Sequence, residues 1–230
     1  MNLQQLNDFK KQLNISSDQI LREEAEMIFL DELAKDKLSA KLVFYGGTAL
    51  RLVYNSPRFS EDIDLIHIRS INFLEFEKFI QETIKKNSRW QLKDIKNKRN
   101  TMFALISIKD EKLKHGFSLK IELHNPAKKA ELETELSLIK SPLSVAEPLL
   151  LTPTLNELKK LKENALASRK KARDIFDLWY ISQSLRENFV TPAKMPRYSE
   201  TEFKNELQVF LPKKYYPIIK QLYDKINPKN

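Results

Sequence analysis

Between Phe117 and His124 the chain alternates without interruption. Phe117, Leu119, Ile121 and Leu123 take one face, and Ser118, Lys120, Glu122 and His124 take the other. A period of two marks a strand with one face in a core. Two strand-like runs precede it, Trp90 to Ile95 and Met102 to Ile108, and Lys114-His115-Gly116 is a hairpin signal. Helical spacing governs Asp18 to Lys35, where Ile20, Leu21, Ala25, Ile28, Phe29 and Leu33 recur behind the capping serines Ser16 and Ser17. Leu42 to Tyr45 reads as a buried strand ending on Gly46-Gly47, Thr48 to Tyr54 as a short helix, Ile63 to Ile68 as a second strand, and Phe73 to Lys86 as an amphipathic helix. Beyond Pro142, Pro148 and Pro153 only helical patterns remain: Leu155 to Ser168, Ala172 to Leu185, Glu200 to Phe210 and Tyr215 to Ile226. The pattern predicts an α+β fold, a mixed or antiparallel sheet with helices packed on it, over residues 1–145. An all-α region follows over residues 146–230, with the boundary near 141–153.

Composition adds three constraints. Hydrophobic residues make up 41% of the 230-residue chain, enough for a substantial core. The formal net charge of +9 favours a polyanionic partner, nucleic acid first, although a lysine-rich solvated surface would give the same total. The chain has no cysteine, which excludes disulfides and thiolate metal sites and fits a reducing cytoplasm. MNLQQLNDFKKQLN carries no apolar signal core, and no run reaches the ~20 apolar residues of a membrane span, so neither export nor membrane insertion is expected.

The chemistry concentrates in FYGGTALRLVYNSPRFSEDIDL, Phe44 to Leu65, which holds two of only three glycines. On a strand, Asp62 and Asp64 project to one face while Ile63 and Leu65 point inward. Adjacent carboxylates repel unless a cation lies between them, and a hard ion such as Mg²⁺ takes oxygen ligands. Glycine lets an anion approach the backbone, and a helix opening there aims N–H groups at it. Gly46, Gly47 and Thr48 are therefore candidates to cradle a phosphate, with Arg51 and Arg58 adding positive charge. Glu122, an acid in mid-strand on a polar face, is the candidate third metal ligand; its neighbours Lys120 and His124 also suit a merely solvated face.

These residues resemble the first motif of the AbiEii-type abortive-infection nucleotidyltransferase toxins, within the DNA polymerase beta-like superfamily, with Gly47-Thr48 where the superfamily often has Gly-Ser. A second stretch, NELKKLKENALASRKKARDIFDLW, carries the rest of the likeness: Glu157, Lys162, Ala165-Leu166, Arg169, Arg173-Asp174 and Asp177-Leu178. If that stretch is one helix, Lys162, Arg169 and Arg173 share a face. The resemblance implies a nucleotidyltransferase-type sheet and transfer from a nucleoside triphosphate to a cellular acceptor, with RNA such as tRNA the leading candidate. It implies Mg²⁺, or Mn²⁺ in its place, on Asp62, Asp64 and Glu122. Lys162 would act with them as a catalytic cation, with Arg169 and Arg173 on the nucleotide, and an antitoxin as a protein partner. Asp177 suits a structural role, and Asp174 either that or assistance in proton removal. Two alternatives stay open: a catalytically silent binding module on the same fold, and transfer to a protein side chain. Lys85 to Arg99, basic with Trp90 inside it, could flank an RNA groove or simply surround a core tryptophan.

Overall fold

The computed structural model describes residues 1–125, 131–191 and 196–228. Among them, a five-stranded mixed sheet in the order β1-β2-β5-β4-β3 organises the N-terminal half. β1 (Leu42–Tyr45) runs antiparallel to β2 (Asp62–His67), and β2 runs parallel to β5 (Phe117–His124). β5 is antiparallel to β4 (Thr101–Ile108), which pairs in turn with the edge strand β3 (Trp90–Lys98).

The periodicity of each strand decides which face is covered. β5 alternates buried and half-exposed residues along its whole length, and β4 does the same in the opposite phase. Ile63, Leu65, Met102, Ala104, Ile106, Leu119, Ile121 and Leu123 thus point into one core. Helices α2 (Ser17–Lys35) and α4 (Phe73–Lys85) close that core, meeting edge to face through Phe29 and Phe79 at 5.5 Å. Ser16 caps α2, and a reciprocal Asn72–Glu75 capping box starts α4. The opposite face of the sheet carries Asp62, Asp64, Lys120, Glu122 and His124 and is left half-open.

Two strands arise where the prolines suggest only punctuation. β6 (Thr134–Leu138) and β7 (Leu149–Pro153) form a separate antiparallel ribbon. β6 is short and largely exposed, and β7 is a five-residue leucine-rich run too short to show a period between its prolines. A helix also precedes α2: α1 (Leu3–Leu13), held by an Asn2–Gln5 capping box and burying only Leu6. β3 runs on to Lys98 rather than stopping near Ile95, because an edge strand needs no apolar face to continue.

The C-terminal half is helical: α5 (Leu155–Ser168), α6 (Ala172–Ser184), α7 (Glu200–Gln208) and α8 (Tyr216–Ile226). Its core gathers Leu166, Phe176, Phe203, Leu207, Leu211, Ile219 and Leu222. A small cluster of Leu50, Leu158 and Ile181 joins it to helix α3 (Gly46–Leu52). A backbone hydrogen bond from Phe59 to the Phe210 carbonyl, 2.8 Å, adds a second tie.

Candidate active site

The half-open sheet face, α3 and the α5–α6 pair enclose a cavity of about 390 Å³. The parallel β2–β5 register sets Asp62 opposite Lys120 and Asp64 opposite Glu122, so residues far apart in sequence stand abreast. Lys120 Nζ lies 3.0 Å from both Asp62 Oδ2 and Glu122 Oε2. Asp64, Glu122 and His124 each offer one ligand atom within 4.8 Å of the others. The Asp64 carboxyl is pushed up to about 6, by desolvation first and then by the neighbouring charge of Asp62. The oxygens of Asp64 and Glu122 suit a hard divalent ion, with Asp62 beside them, and the His124 imidazole adds one nitrogen donor.

Gly46 opens α3 with φ +88, a conformation open to glycine at little cost. A Cβ there would overlap Asp64 Oδ2, and one at Gly47 would overlap Arg58 Nη2 and Ser60 Oγ. The paired glycines therefore let the backbone press against the acids on one side and a guanidinium on the other, and both line the cavity.

Facing the carboxylates is an alternating chain of charge. Arg58 donates to Asp177 through Nε and Nη2 at 2.6 and 2.8 Å. Lys162 Nζ lies 2.6 Å from Asp177 Oδ2 and 3.2 Å from Asp174 Oδ1. Arg169 reaches Asp174 through Nε and Nη2, 2.9 and 3.0 Å. Asp174 and Asp177 are fully buried, and Arg58 and Lys162 nearly so. Both aspartates are held below the usual carboxylate range: burial opposes ionisation, and the attached cations override it. Three cations to two anions leave the network one positive charge in excess, beside a cavity that Arg58, Lys162, Arg169 and Arg173 all line.

Sequence reasoning and structure part at three points. Thr48 is buried and donates its hydroxyl to the Asp62 carbonyl, tying α3 to β2 rather than lining the cavity. Arg51 turns away to Glu23 on α2, with Nη2 at 3.2 Å from Oε1, and covers the Phe59 ring at 3.4 Å. Both sit near the glycines in sequence, but the helix directs them elsewhere. Lys162, Arg169 and Arg173 do not share one helix face, because α5 ends at Ser168 and Arg169 is its extended C-cap. They meet at the cavity because α6 folds back on α5. His67 hydrogen-bonds Asn125 Oδ1 at 2.7 Å, away from the acids. Three residues of the site went unassigned: Lys120 and His124, whose signal was their shared face with Glu122, and Tyr45, which pairs with Asp64 and lines the cavity.

The sequence profile of the nucleotidyl transferase AbiEii toxin of type IV toxin–antitoxin systems matches residues 28–203. The chain belongs to the AbiEii family. This AbiEii chain also resembles JHP933 from Helicobacter pylori, at 18% identity and a TM-score of 0.55, over 93% of this chain and 95% of that one. It resembles MenT4, a nucleotidyltransferase toxin from Mycobacterium tuberculosis H37Rv, at 16% identity and a TM-score of 0.57, over 93% and 85% of the two chains. At such identities the likeness establishes the shared fold. No curated protein sequence matches significantly. The AbiEii match spans the acids of the sheet face and the whole cation network, so the chain is a nucleotidyltransferase of the toxin type.

Proposed function

We propose that this enzyme moves a nucleotide from a nucleoside triphosphate onto a hydroxyl of an RNA such as a tRNA, with Mg²⁺ or Mn²⁺ at the acidic face. The observation that carries the reading is the abreast placement of Asp64 and Glu122, across one cavity from the Arg58–Asp177–Lys162–Asp174–Arg169 network. One wall gathers negative charge that needs a cation, and the other offers excess positive charge to a polyphosphate. Asp64 and Glu122, with Asp62, are the residues that would hold the ion. A divalent ion, when bound, lowers the pKa of the attacking hydroxyl and offsets charge at the α-phosphate.

The chain's own groups do the positioning. Lys162 and Arg58, fixed by Asp177, face the triphosphate with little side-chain freedom left to lose, which is the form of preorganised electrostatic support that lowers a barrier. Arg169, half exposed and anchored to Asp174, and Arg173 meet the same charge from the mouth. Gly46 and Gly47 line the same cavity and let Asp64 and Arg58 stand close against the backbone there. Lys120 spaces Asp62 from Glu122. Membership in a toxin–antitoxin family implies an antitoxin. Among the described residues no helix is long and apolar enough to cross a membrane.

The test incubates purified protein with Mg²⁺, total RNA and each labelled nucleoside triphosphate in turn. Label on RNA, lost in Asp64→Asn and Glu122→Gln, is the expected result. Absence of both transfer and nucleotide binding in the wild type overturns the proposal, and label on protein moves the acceptor from RNA to a side chain.

A further inference from the structure

The sheet face that bears the acids does not stop at β5. The β4 register places Phe103 opposite Glu122 and Thr101 opposite His124. The β3 register continues the same rows with Lys96 opposite Phe103 and Lys98 opposite Thr101. Residues paired across a sheet share a face, and neighbouring strands lie ~4.8 Å apart, so Phe103 stands about 5 Å and the lysines about 10 Å from the line of Glu122 and His124. Thr101, Phe103, Leu105 and Ser107 are all half-exposed, whereas the other face of β4 is buried. Lys98 Nζ hovers 4.6 Å from the Phe103 ring centre. Lys93, Lys96, Lys98 and Arg99 are exposed around it, with Asp94 held by Lys96.

We propose that this open face of β4 and β3 seats a single-stranded segment of the acceptor RNA, with a base stacked on Phe103 and phosphates against Lys98 and Arg99. The inference rests on the nucleotidyl-transfer reading above. A partly exposed aromatic ring beside cations is what a single strand needs, since every base offers a π-face and every linkage a negative charge. Lysines on an edge strand also discourage pairing with other chains, but that role gives no reason to leave a phenylalanine open one strand from Glu122. Continuity with the cavity decides the position: a strand lying here delivers its hydroxyl to the acids without crossing another element of the sheet.

The experiment measures anisotropy of a fluorescein-labelled 12-nucleotide single-stranded RNA, its duplex form, and a fluorescent nucleoside triphosphate. The proteins are wild type, Phe103→Ala, Phe103→Tyr, the Lys98→Glu/Arg99→Glu double variant and a Lys11→Glu/Lys213→Glu control. That control lies in a separate basic groove between α1 and the 208–216 segment. Phe103→Ala should weaken single-strand binding about 5- to 150-fold, the range for a lost base stack, and Phe103→Tyr should restore it. Lys98→Glu/Arg99→Glu should weaken it and flatten the slope of log K against log salt by about 1.4, two phosphate contacts at ~0.7 each. Triphosphate binding should stay at the wild-type level in every variant, and the control should behave as wild type. Wild-type-like RNA binding by both the Phe103→Ala and the double variant overturns the proposal while leaving nucleotide transfer intact. So does a wild type that binds triphosphate but not the single-stranded RNA. Failure of wild type to bind triphosphate overturns the parent reading instead.

Discussion

Asp177 grips the guanidinium of Arg58 through two hydrogen bonds, 2.6 and 2.8 Å, across 119 residues of sequence. The same carboxylate holds Lys162 at 2.6 Å. One buried anion thus fixes two cations of the cavity wall and ties the loop before β2 to the helical half.

Asp177→Asn should therefore cost on the order of 3–5 kcal/mol, because it strands the buried Arg58 guanidinium and leaves Lys162 with Asp174 alone. Urea unfolding measures this directly. The acid limb of stability follows from the same pair. Asp177 is lowered to about 2 in the fold, against ~3.9 in an unfolded chain. A depressed carboxyl lends its stability fully above the unfolded value and loses it as pH falls through the folded one. Between about pH 4 and pH 2 the wild type should lose stability, and Asp177→Asn should show a shallower fall.

Asp64 has the opposite sign. Its carboxyl is raised to about 6, so the unfolded chain releases the proton first as pH rises. Without divalent ion, Asp64 subtracts stability progressively from about pH 4 to pH 6. Thermal melts across that range should show a decline that Asp64→Asn removes and that Mg²⁺ counteracts in the wild type alone. In the transfer assay Asp64→Asn and Glu122→Gln should each lose at least about 100-fold, as expected when several kcal/mol of transition-state charge stabilisation go. A melting curve for Asp64→Asn that tracks wild type at every pH, with and without Mg²⁺, would show that this carboxyl is not strained.

Gly46→Ala should impair both stability and turnover. It places a side chain at φ +88 and drives its Cβ into the Asp64 carboxylate. Such strain costs roughly 1–3 kcal/mol, and displacement of Asp64 should lower the rate well beyond what the stability loss explains. Rates taken at temperatures where the variant is fully folded separate the two effects.

Arg51→Ala provides the contrast. Arg51 pairs with Glu23, which also accepts from Ser141 Oγ at 2.7 Å. Removing it should destabilise by about 3 kcal/mol through the charge left on Glu23, yet leave KM for the triphosphate unchanged. Lys162→Met should raise that KM or lower kcat. A raised KM for Arg51→Ala would place Arg51 at the nucleotide after all.

The strands and helices that pack against a core were legible because their periods are written in apolar residues: β5 was readable from Phe117 to His124, and α2 to within a residue of its start. The acids were legible for the same reason, since a period of two puts Asp62 with Asp64 and Glu122 with His124. What stayed hidden was set by contacts between distant segments. No periodicity announces that Arg58 will meet Asp177, or that Arg51 will turn to Glu23. Nearness to Gly46-Gly47 in sequence misdirected the reading of Thr48 and Arg51, because successive residues of a helix point about 100° apart. The end of edge strand β3, Lys96 to Lys98, and most of β6 lack a buried face, so the pattern that reveals strands was missing there, and β7 is too short to show a period.

The place of β5, threaded between β2 and β4, also bears on how this toxin is made. A growing chain that has left the ribosome only as far as the β3–β4 hairpin has Asp64 without Glu122, and one that stops before α6 has Lys162 without Asp174 or Asp177. The site spans Tyr45 to Asp177, so no nascent chain that stops before Asp177 holds it whole. At about 5–20 residues per second, synthesis from Asp64 to Asp177 takes several seconds, and through that interval the two walls of the cavity exist only in part.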